Sequence, residues 1–510
     1  MAWLTNVNDS INSFVWGNGV WLLLFTGLLT TLITGVFQVR KIGHWMKETL
    51  GSLFKKDVSG HVQGKSISQF QALCTALAAT IGVGNIAGVA TAITVGGPGA
   101  VFWMWVAAFL GMMTNYSENV LGIYYRRKNA DGEWSGGAMY FLQDGLGKMK
   151  GCKWVGKILA ILFSIFAILA SFGIGAMGQI NKIVINIVSA FDIKALSSNV
   201  LYGSGDSVIT MYHVILGAIL LVIAALITLG GLKRIANFAE KVVPFMVVLF
   251  VAGSLIIIGI NYSAIGAAFG AIFKFAFTLP AFVGAAGGTI IKTVVTQGCK
   301  RGVFSNEAGL GSSVMVHSNS NVVEPVKQGI WGIFEVFADT MIVCTMTALV
   351  VLTTGFFDLS TGAPVSEFSD ATLVASAFST VFGGFGAKFI AIAILLFAFT
   401  TVLGWDHYGT KAWEYLFGTK SVKLYKVIHL VTIMCGALLT SSLAWDISDT
   451  FNGLMMVPNL IGVIALSGLV MKITNNYIDR HFKGKQVKPM ISAFEDVQAE
   501  QEKALAELNK

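Results

Sequence analysis

The chain has 510 residues, of which 55% are hydrophobic and only 12% charged, and apolar runs of about 20 residues recur along its length. That balance excludes a disordered or ordinary water-soluble chain and marks an all-α polytopic membrane protein. The formal charge of +8 reflects topology and contact with anionic headgroups; no basic stripe with interleaved aromatics supports a nucleic-acid partner.

Eleven spans are predicted, at about 20–39, 68–95, 98–124, 158–190, 211–229, 242–260, 278–303, 328–353, 388–410, 424–443 and 453–473. Short loops rich in Lys and Arg stay on the cytoplasmic side. With the N-terminus outside, the loop holding Arg40, Lys41, Lys47, Lys55, Lys56 and Lys65 falls inside, as do the clusters at 126–157, 233–241, 300–327 and 411–426 and the tail from Lys472. Of the 35 basic residues only Lys194, Lys274 and Lys388 then lie outside, with Lys182 and Lys292 within spans. The N-terminal stretch lacks a basic n-region and its apolar run is long enough to span, so the first helix is expected to stay in the mature protein.

Residues 1–480 read as the transmembrane domain and 481–510 as a solvated cytoplasmic tail, polar and weakly amphipathic, with a regulatory role as the minor reading. Cys74, Cys152, Cys299, Cys344 and Cys435 are scattered without a CxxC pair or a His at metal-ligand spacing, and read as packing residues.

Two spans are interrupted. The first, TALAATIGVGNIAGVATAI, carries Gly82, Gly84 and Gly88 with the amide of Asn85 at the break; the second, FVGAAGGTIIKTVVTQG, carries Gly284, Gly287 and Gly288 followed by Thr289. Unwound backbone persists at membrane depth only where it is buried in protein or lines a site, and broken helices mark the sites of secondary transporters. Setting the first span aside makes these the first and sixth of ten, entering from opposite faces: a five-plus-five inverted repeat over about 68–260 and 278–473, with one extra N-terminal helix. Small-residue helix packing is the competing explanation of the glycines. A half-helix N-terminus suits a carboxylate, and freed carbonyls suit sodium or an ammonium group.

Further polar candidates lie within spans. Thr400 and Thr401 offer hard oxygen ligands, although helical threonines commonly bond back to their own backbone. Gln179 faces either a ligand or a neighbouring helix. Glu118, Glu335 and Asp339 are costly to bury and so candidates by default; Glu335 and Asp339, four apart, share a helix face and serve cation coupling or pair with Lys292. Asp406 and His407 form a titratable pair near a helix end, or a solvated terminus.

The blocks GGPGAVFWMW, TIGVGNIAGVATAI, RGVFSNEAGLGSS, EVFADTMIVCTMTALV and GWDHYGTKAWEYLFG resemble, in order, those of the alanine/glycine:cation symporter family, over about residues 15–475. The resemblance implies sodium-coupled, less often proton-coupled, uptake of alanine or glycine by alternating access at the bacterial inner membrane, on the inverted-repeat fold shared with neurotransmitter:sodium symporters. It implies that Gly82, Val83, Gly84 and Asn85, with Thr80, bind the substrate carboxylate, Asn85 also helping to bind sodium. A sodium ion would be held by the carbonyls of Ala78, Ile81 and Phe397 and the hydroxyls of Thr400 and Thr401, with Asp339 a weaker candidate. Gln179, Gly287, Gly288 and Thr289 would face the substrate, and Trp405 would wall the pocket against larger side chains. The chain departs from the family's pattern at Asp406 and His407, where GWSYYG is usual, and at Ala176, where an Asn is expected.

The sequence holds no HExxH, no GxSxG with a plausible His and no paired catalytic carboxylates, which argues against an intramembrane enzyme. A channel would show charge rings or repeated carbonyl filters. No cofactor beyond the coupling ion is expected; substrate range, stoichiometry and oligomeric state are not encoded in readable form.

Overall fold

The computed structural model describes residues 2–53, 58, 65–203, 208–278, 287–439 and 443–508. They form a helical bundle with two short antiparallel hairpins, Arg127–Lys128 with Trp134–Ser135 and Val200–Tyr202 with Ile209–Thr210. Among the described residues seven helices are long and apolar enough to cross a membrane: Thr5–Ile33, Lys153–Phe191, Met211–Thr228, Gly231–Ile260, Pro325–Thr353, Gly384–Phe417 and Asp446–Ala465. The bent pair Gln69–Thr80 and Gly84–Gly96, at 54°, makes an eighth if counted as one span. Within the spans predicted near 98–124, 278–303 and 424–443 the described helices are Gly99–Tyr124, which carries buried Asn115, Glu118 and Asn119, Gly287–Asn306, and Val422–Ala437, which has only 16 residues. On the first helix Trp21, Phe25, Leu28 and Leu32 are exposed at helical spacing, an apolar stripe that suits lipid contact.

Each interruption has a local cause. Gln69–Thr80 opens with a capping box, Ser68 bonding the Gln71 amide and the Gln71 side chain returning to Ser68, and stops at Ile81, whose ψ of 89° leaves the helix. The chain resumes in a π-helical turn, Gly84–Gly88, before Val89–Gly96. Similar wide turns, Gly173–Met177 and Phe337–Cys344, interrupt two further spans; such turns recur at functional sites. At the start of GGPGAVFWMW, Gly97 adopts φ 71° and Pro98 leads into Gly99–Tyr124. A Cβ on Gly99 would lie 2.1 Å from the Phe275 carbonyl oxygen, so this motif is a tight turn pressed against the Ile265–Phe277 helix.

The second break differs from the one expected. Gly287, Gly288 and Thr289 begin a continuous helix, Gly287–Asn306, while Gly284 lies outside the described residues. The helix ends where Glu307 (φ 56°), Gly309 (φ 96°) and Gly311 (φ 73°) turn the chain through left-handed conformations, followed by the four-residue helix Val314–His317. Residues 306–313 are buried throughout. Glycine density alone does not distinguish a helix start from an unwound segment; the unwound one is the stretch whose own Asn, Glu and Ser replace the missing backbone partners.

This displacement also moves Lys300. Its ammonium group lies 3.4 Å from Asn12 Oδ1 and 2.6 Å from Asp449 Oδ2, beside the N-terminal end of the first helix. Lys300 is thus paired with another helix and is not a free loop charge of the kind the charge rule counts. It belongs to a helix running into the protein, and a buried acid, not the lipid surface, fixes it.

The C-terminal segment is docked, not freely solvated. Ile491 is buried, the Ala493 amide donates to the Tyr124 carbonyl at 2.9 Å, Phe494 lies under Arg127 and Lys148, and the Glu495–Leu508 helix places Glu500 2.8 Å from Lys128. All five cysteines are free thiols.

Gly99→Ala is expected to lower the thermal stability of the purified protein by about 1–3 kcal/mol through overpacking. Gly259→Ala, where nothing lies within 4 Å of the added Cβ, should leave the melting temperature unchanged or raise it. Equal melting of the two variants would contradict the close approach.

Candidate functional site

The amides released at the first break are taken by side chains. In a continuous helix the Gly82 and Val83 N–H groups would bond to Ala78 and Ala79; instead Gly82 donates to Asn85 Oδ1 at 2.9 Å and Val83 to Gln179 Oε1 at 3.3 Å. The carbonyls of Ala78 and Ala79 lose their helical partners and are available as hard oxygen ligands.

Close by, Thr401 Oγ1 would lie 2.6 Å from a Cβ on Gly82, and a Cβ on Gly404 would lie 2.6 Å from that of Ala79. Gly82 and Gly404 thus allow the Gly384–Phe417 helix to touch the break. The Thr400 and Thr401 hydroxyls both donate to the Phe397 carbonyl, at 2.9 and 3.0 Å, as helical threonines do. Their lone pairs stay free, but Thr400 turns toward Met246 Sδ, 3.6 Å away.

One small cavity joins the elements. Thr80, Gly82, Gly84, Gln179, Thr401 and Trp405 line it, as read from the sequence, and so do Ala79, Ile174, Phe304, Glu307 and Asn452. Its volume is about 10 Å³, room for about one water. Val83 lines instead a neighbouring 350 Å³ cavity that shares Gly84 and Phe304 with it. Thr289 precedes Glu307 by about 27 Å along the helix axis, and the side chains of 287–290 lie outside the described residues.

Asn85 is buried and turns away from the cavity. It donates to Asp339 Oδ1 at 2.6 Å, while Ser305 and Thr340 both donate to Asp339 Oδ2 at 2.7 Å. Asn306 adds a bond to the Thr340 hydroxyl at 3.0 Å. Asn85, Ser305 and Thr340 thus surround one carboxylate, with Asn306 behind Thr340. Glu335 does not join it, because the wide turn rotates Asp339 off the shared face; Glu335 accepts from Asn115 at 3.1 Å and meets His317 Nε2 at 2.9 Å. Lys292 is exposed, and Glu118 is held by Asn459, which also donates to the Gly309 carbonyl at 2.9 Å.

Glu307 is the acid the sequence reading missed. Its Oε1 accepts the Trp405 indole N–H at 2.9 Å and its Oε2 the Ser312 hydroxyl at 2.5 Å. The signal available was an acid between Asn306 and Gly309 in a buried polar run. Trp405 in turn packs on the wide turn, since a Cβ on Gly175 would lie 2.5 Å from its own. That close approach also accounts for the glycine two residues before Met177.

Two unwound segments, a wide turn and a threonine-bearing helix converging on one buried cavity define a membrane transporter. The chain belongs to the sodium:alanine symporter family, whose model matches residues 1–491. It is 41% identical over 470 residues to the sodium/alanine symporter AgcS of Methanococcus maripaludis, covering 92% of this chain and 96% of that one. Two Bacillus subtilis proteins are also similar: the putative sodium/proton-dependent alanine carrier YrbD, 35% identical over 92% of this chain and 91% of its own, and the probable sodium/glutamine symporter GlnT, 33% identical over 94% and 92%. The crystal structure of MhsT in complex with L-phenylalanine superposes with a TM-score of 0.53 at 13% identity, over 81% of this chain and 99% of that one. The fold is the leucine-transporter-like one that the sequence motifs implied.

Trp405→Phe removes a donor from the buried Glu307 carboxylate and should cost about 1–3 kcal/mol of stability. Glu307→Gln in the same background is expected to recover part of that loss, measured by thermal unfolding of the purified protein. Full additivity of the two changes would show that the indole and the carboxylate do not interact.

Proposed function

We propose that this chain is a secondary active symporter that couples inward sodium movement to uptake of a small neutral amino acid, alanine or glycine, by alternating access, and that it is not an enzyme. The observation that carries the reading is the convergence of the two breaks, Gln179, Thr401 and Trp405 on one cavity. On this reading the amino acid's carboxylate sits at Gly82, Val83 and Gly84 with Gln179, and Thr80 borders it. Its ammonium group faces Glu307 and the unwound 306–313 backbone.

Sodium is held by the carbonyls of Ala78, Ile81 and Phe397 with Thr400 and Thr401, and Asn85 with Asp339 forms a second oxygen-rich cluster suited to a hard cation. Trp405 and Phe304 close the cavity around a short side chain, which favours alanine and glycine. The arrangement suits the plasma membrane with the N-terminus outside and the C-terminus cytoplasmic, and eleven crossings in a five-plus-five repeat after one N-terminal helix, with the sixth core span centred on 306–313. Proton coupling and a different small amino acid form the second reading; the similarity to a putative sodium/proton-dependent carrier and to a probable glutamine symporter supports keeping it.

The test is uptake of labelled alanine into proteoliposomes under an inward sodium gradient, an inward proton gradient, or neither. Sodium-driven, electrogenic accumulation blocked by glycine is expected. Thr401→Ala should raise the sodium half-saturation about tenfold, equivalent to about 1.4 kcal/mol, with expression intact, and Asn85→Ala should weaken both sodium and alanine. Unchanged sodium dependence in Thr401→Ala would remove the threonine from the ion site, and accumulation driven only by protons would replace sodium as the coupling ion.

A further inference from the structure

A second polar cavity, of 190 Å³, lies toward the other end of the Gly384–Phe417 helix, bordered by Asp406, His407, Thr410, Lys411, Glu414 and Lys426. Asp406 is 1% exposed, and neither of its carboxylate oxygens has a hydrogen bond. Behind it, on the Val422–Ala437 helix, His429 is fully buried with both ring nitrogens lacking one. His429 Nδ1 stands 3.5 Å from Asp406 Oδ1. The pair expected from the sequence, Asp406 with His407, does not form: His407 Nε2 lies 3.4 Å from Asn319 Nδ2.

The charges around Asp406 are accounted for element by element. On its own helix Lys411 pairs with Glu414 at 3.1 Å and with Glu133 of the 127–135 hairpin at 3.5 Å, and Asn129 and Ser135 of that hairpin also bond Glu414. Asp131 borders the cavity from the same hairpin. From the Val422–Ala437 helix come Lys426, whose Nζ is 4.0 Å from Asp406 Oδ2 and also donates to the Thr228 carbonyl, and Tyr425, which donates to Ser171 at 3.0 Å. The Gly231–Ile260 helix presents Leu232 and Ile235, its Arg234 donating elsewhere, to the Leu226 carbonyl. Among the described residues Asp406 is thus left with Lys426 and His429.

Burying a carboxylate and an imidazole face to face without a hydrogen bond is costly. The 3.5 Å gap exceeds the roughly 2.7–3.2 Å of an N–H···O bond by a few tenths of an ångström. One added proton makes the imidazole a cation facing the carboxylate, so that full charge attraction joins the hydrogen bond and draws the groups together. We propose that Asp406 and His429 bind one proton between them, in a site separate from the sodium and substrate sites. The proton comes from water in the adjoining cavity and returns there, with no other bond made or broken. Asp406 follows the cavity-lining Trp405 directly, and the Val422–Ala437 helix rests through Gly436 on Met177 of the wide turn that precedes Gln179. The proton therefore ties together two helices that frame the transport cavity.

Two measurements on the full chain test this. Infrared difference spectra of the purified protein in lipid, between about pH 5 and about pH 9, should show a proton-linked carboxyl or imidazolium signal. It should be lost in Asp406→Asn and in His429→Gln and kept in His407→Gln; this arm needs no substrate. Alanine uptake under a fixed sodium gradient should follow a one-proton titration in the wild type and become flat in both variants. A signal that survives in Asp406→Asn and His429→Gln, or its absence from the wild type, overturns the proposal. The uptake arm rests on the symport reading: absence of uptake with the infrared signal present would fault that reading and leave the proton site standing.

Discussion

Everything at the centre of this molecule depends on how an interrupted helix keeps its backbone hydrogen-bonded away from water. A bare amide at membrane depth costs several kcal/mol, so the interruption at Ile81 exists only because Asn85 and Gln179 accept the Gly82 and Val83 N–H groups. Each of these acceptors is then tied elsewhere. The Asn85 amide nitrogen is committed to Asp339, and the Thr347 hydroxyl donates to the Asn85 carbonyl at 2.7 Å. Opening the first helix thereby fixes its place against the Phe337–Cys344 turn, and the backbone repair and the site are one network.

The second break solves the same problem with different residues. Asn306 Oδ1 takes the Ala308 amide at 3.0 Å and Asn459 reaches the Gly309 carbonyl. The left-handed turns at Gly309 and Gly311 remove the backbone from a helical path, and Glu307, forced to φ 56°, is aimed at Trp405. Strain of this kind in a non-glycine residue is held only where its surroundings over-determine it. Here the indole and Ser312 do so.

Much of this was legible in the residues. The first break could be placed because glycines, an amide and a flanking apolar run coincide within residues 82–88. Thr401 and Gln179 could be named because polar groups inside apolar spans must face something, and Trp405 through the family resemblance. The unwound segment at 306–313 went unread because SNEAGLGSS has less glycine than FVGAAGGTII, and glycine count is silent on whether backbone partners are available. The partner of Lys300 was unreadable for a related reason: the charge rule weighs lysines as loop residues and cannot see Asp449, contributed by a helix 149 residues away in sequence. The docked tail was unreadable because its anchors, Tyr124, Arg127 and Lys148, are spread over other segments.

The central cavity, at about 10 Å³, is smaller than any amino acid, so its walls must part to admit one. Gly84 and Phe304 line both it and the 350 Å³ cavity beside it, which makes them the partition between the two. Glycine offers no side chain to withdraw, so widening the passage requires either rotation of the Phe304 ring or a shift of the Gly287–Asn306 helix that carries it. That helix ends in the buried 306–313 turn, which is held by Asn306, Asn459 and the Glu307–Trp405 bond, and the break beside Gly84 is held by Asn85 at the Gly82 amide. Both walls are therefore tied by side-chain hydrogen bonds, and parting them requires those bonds to be exchanged.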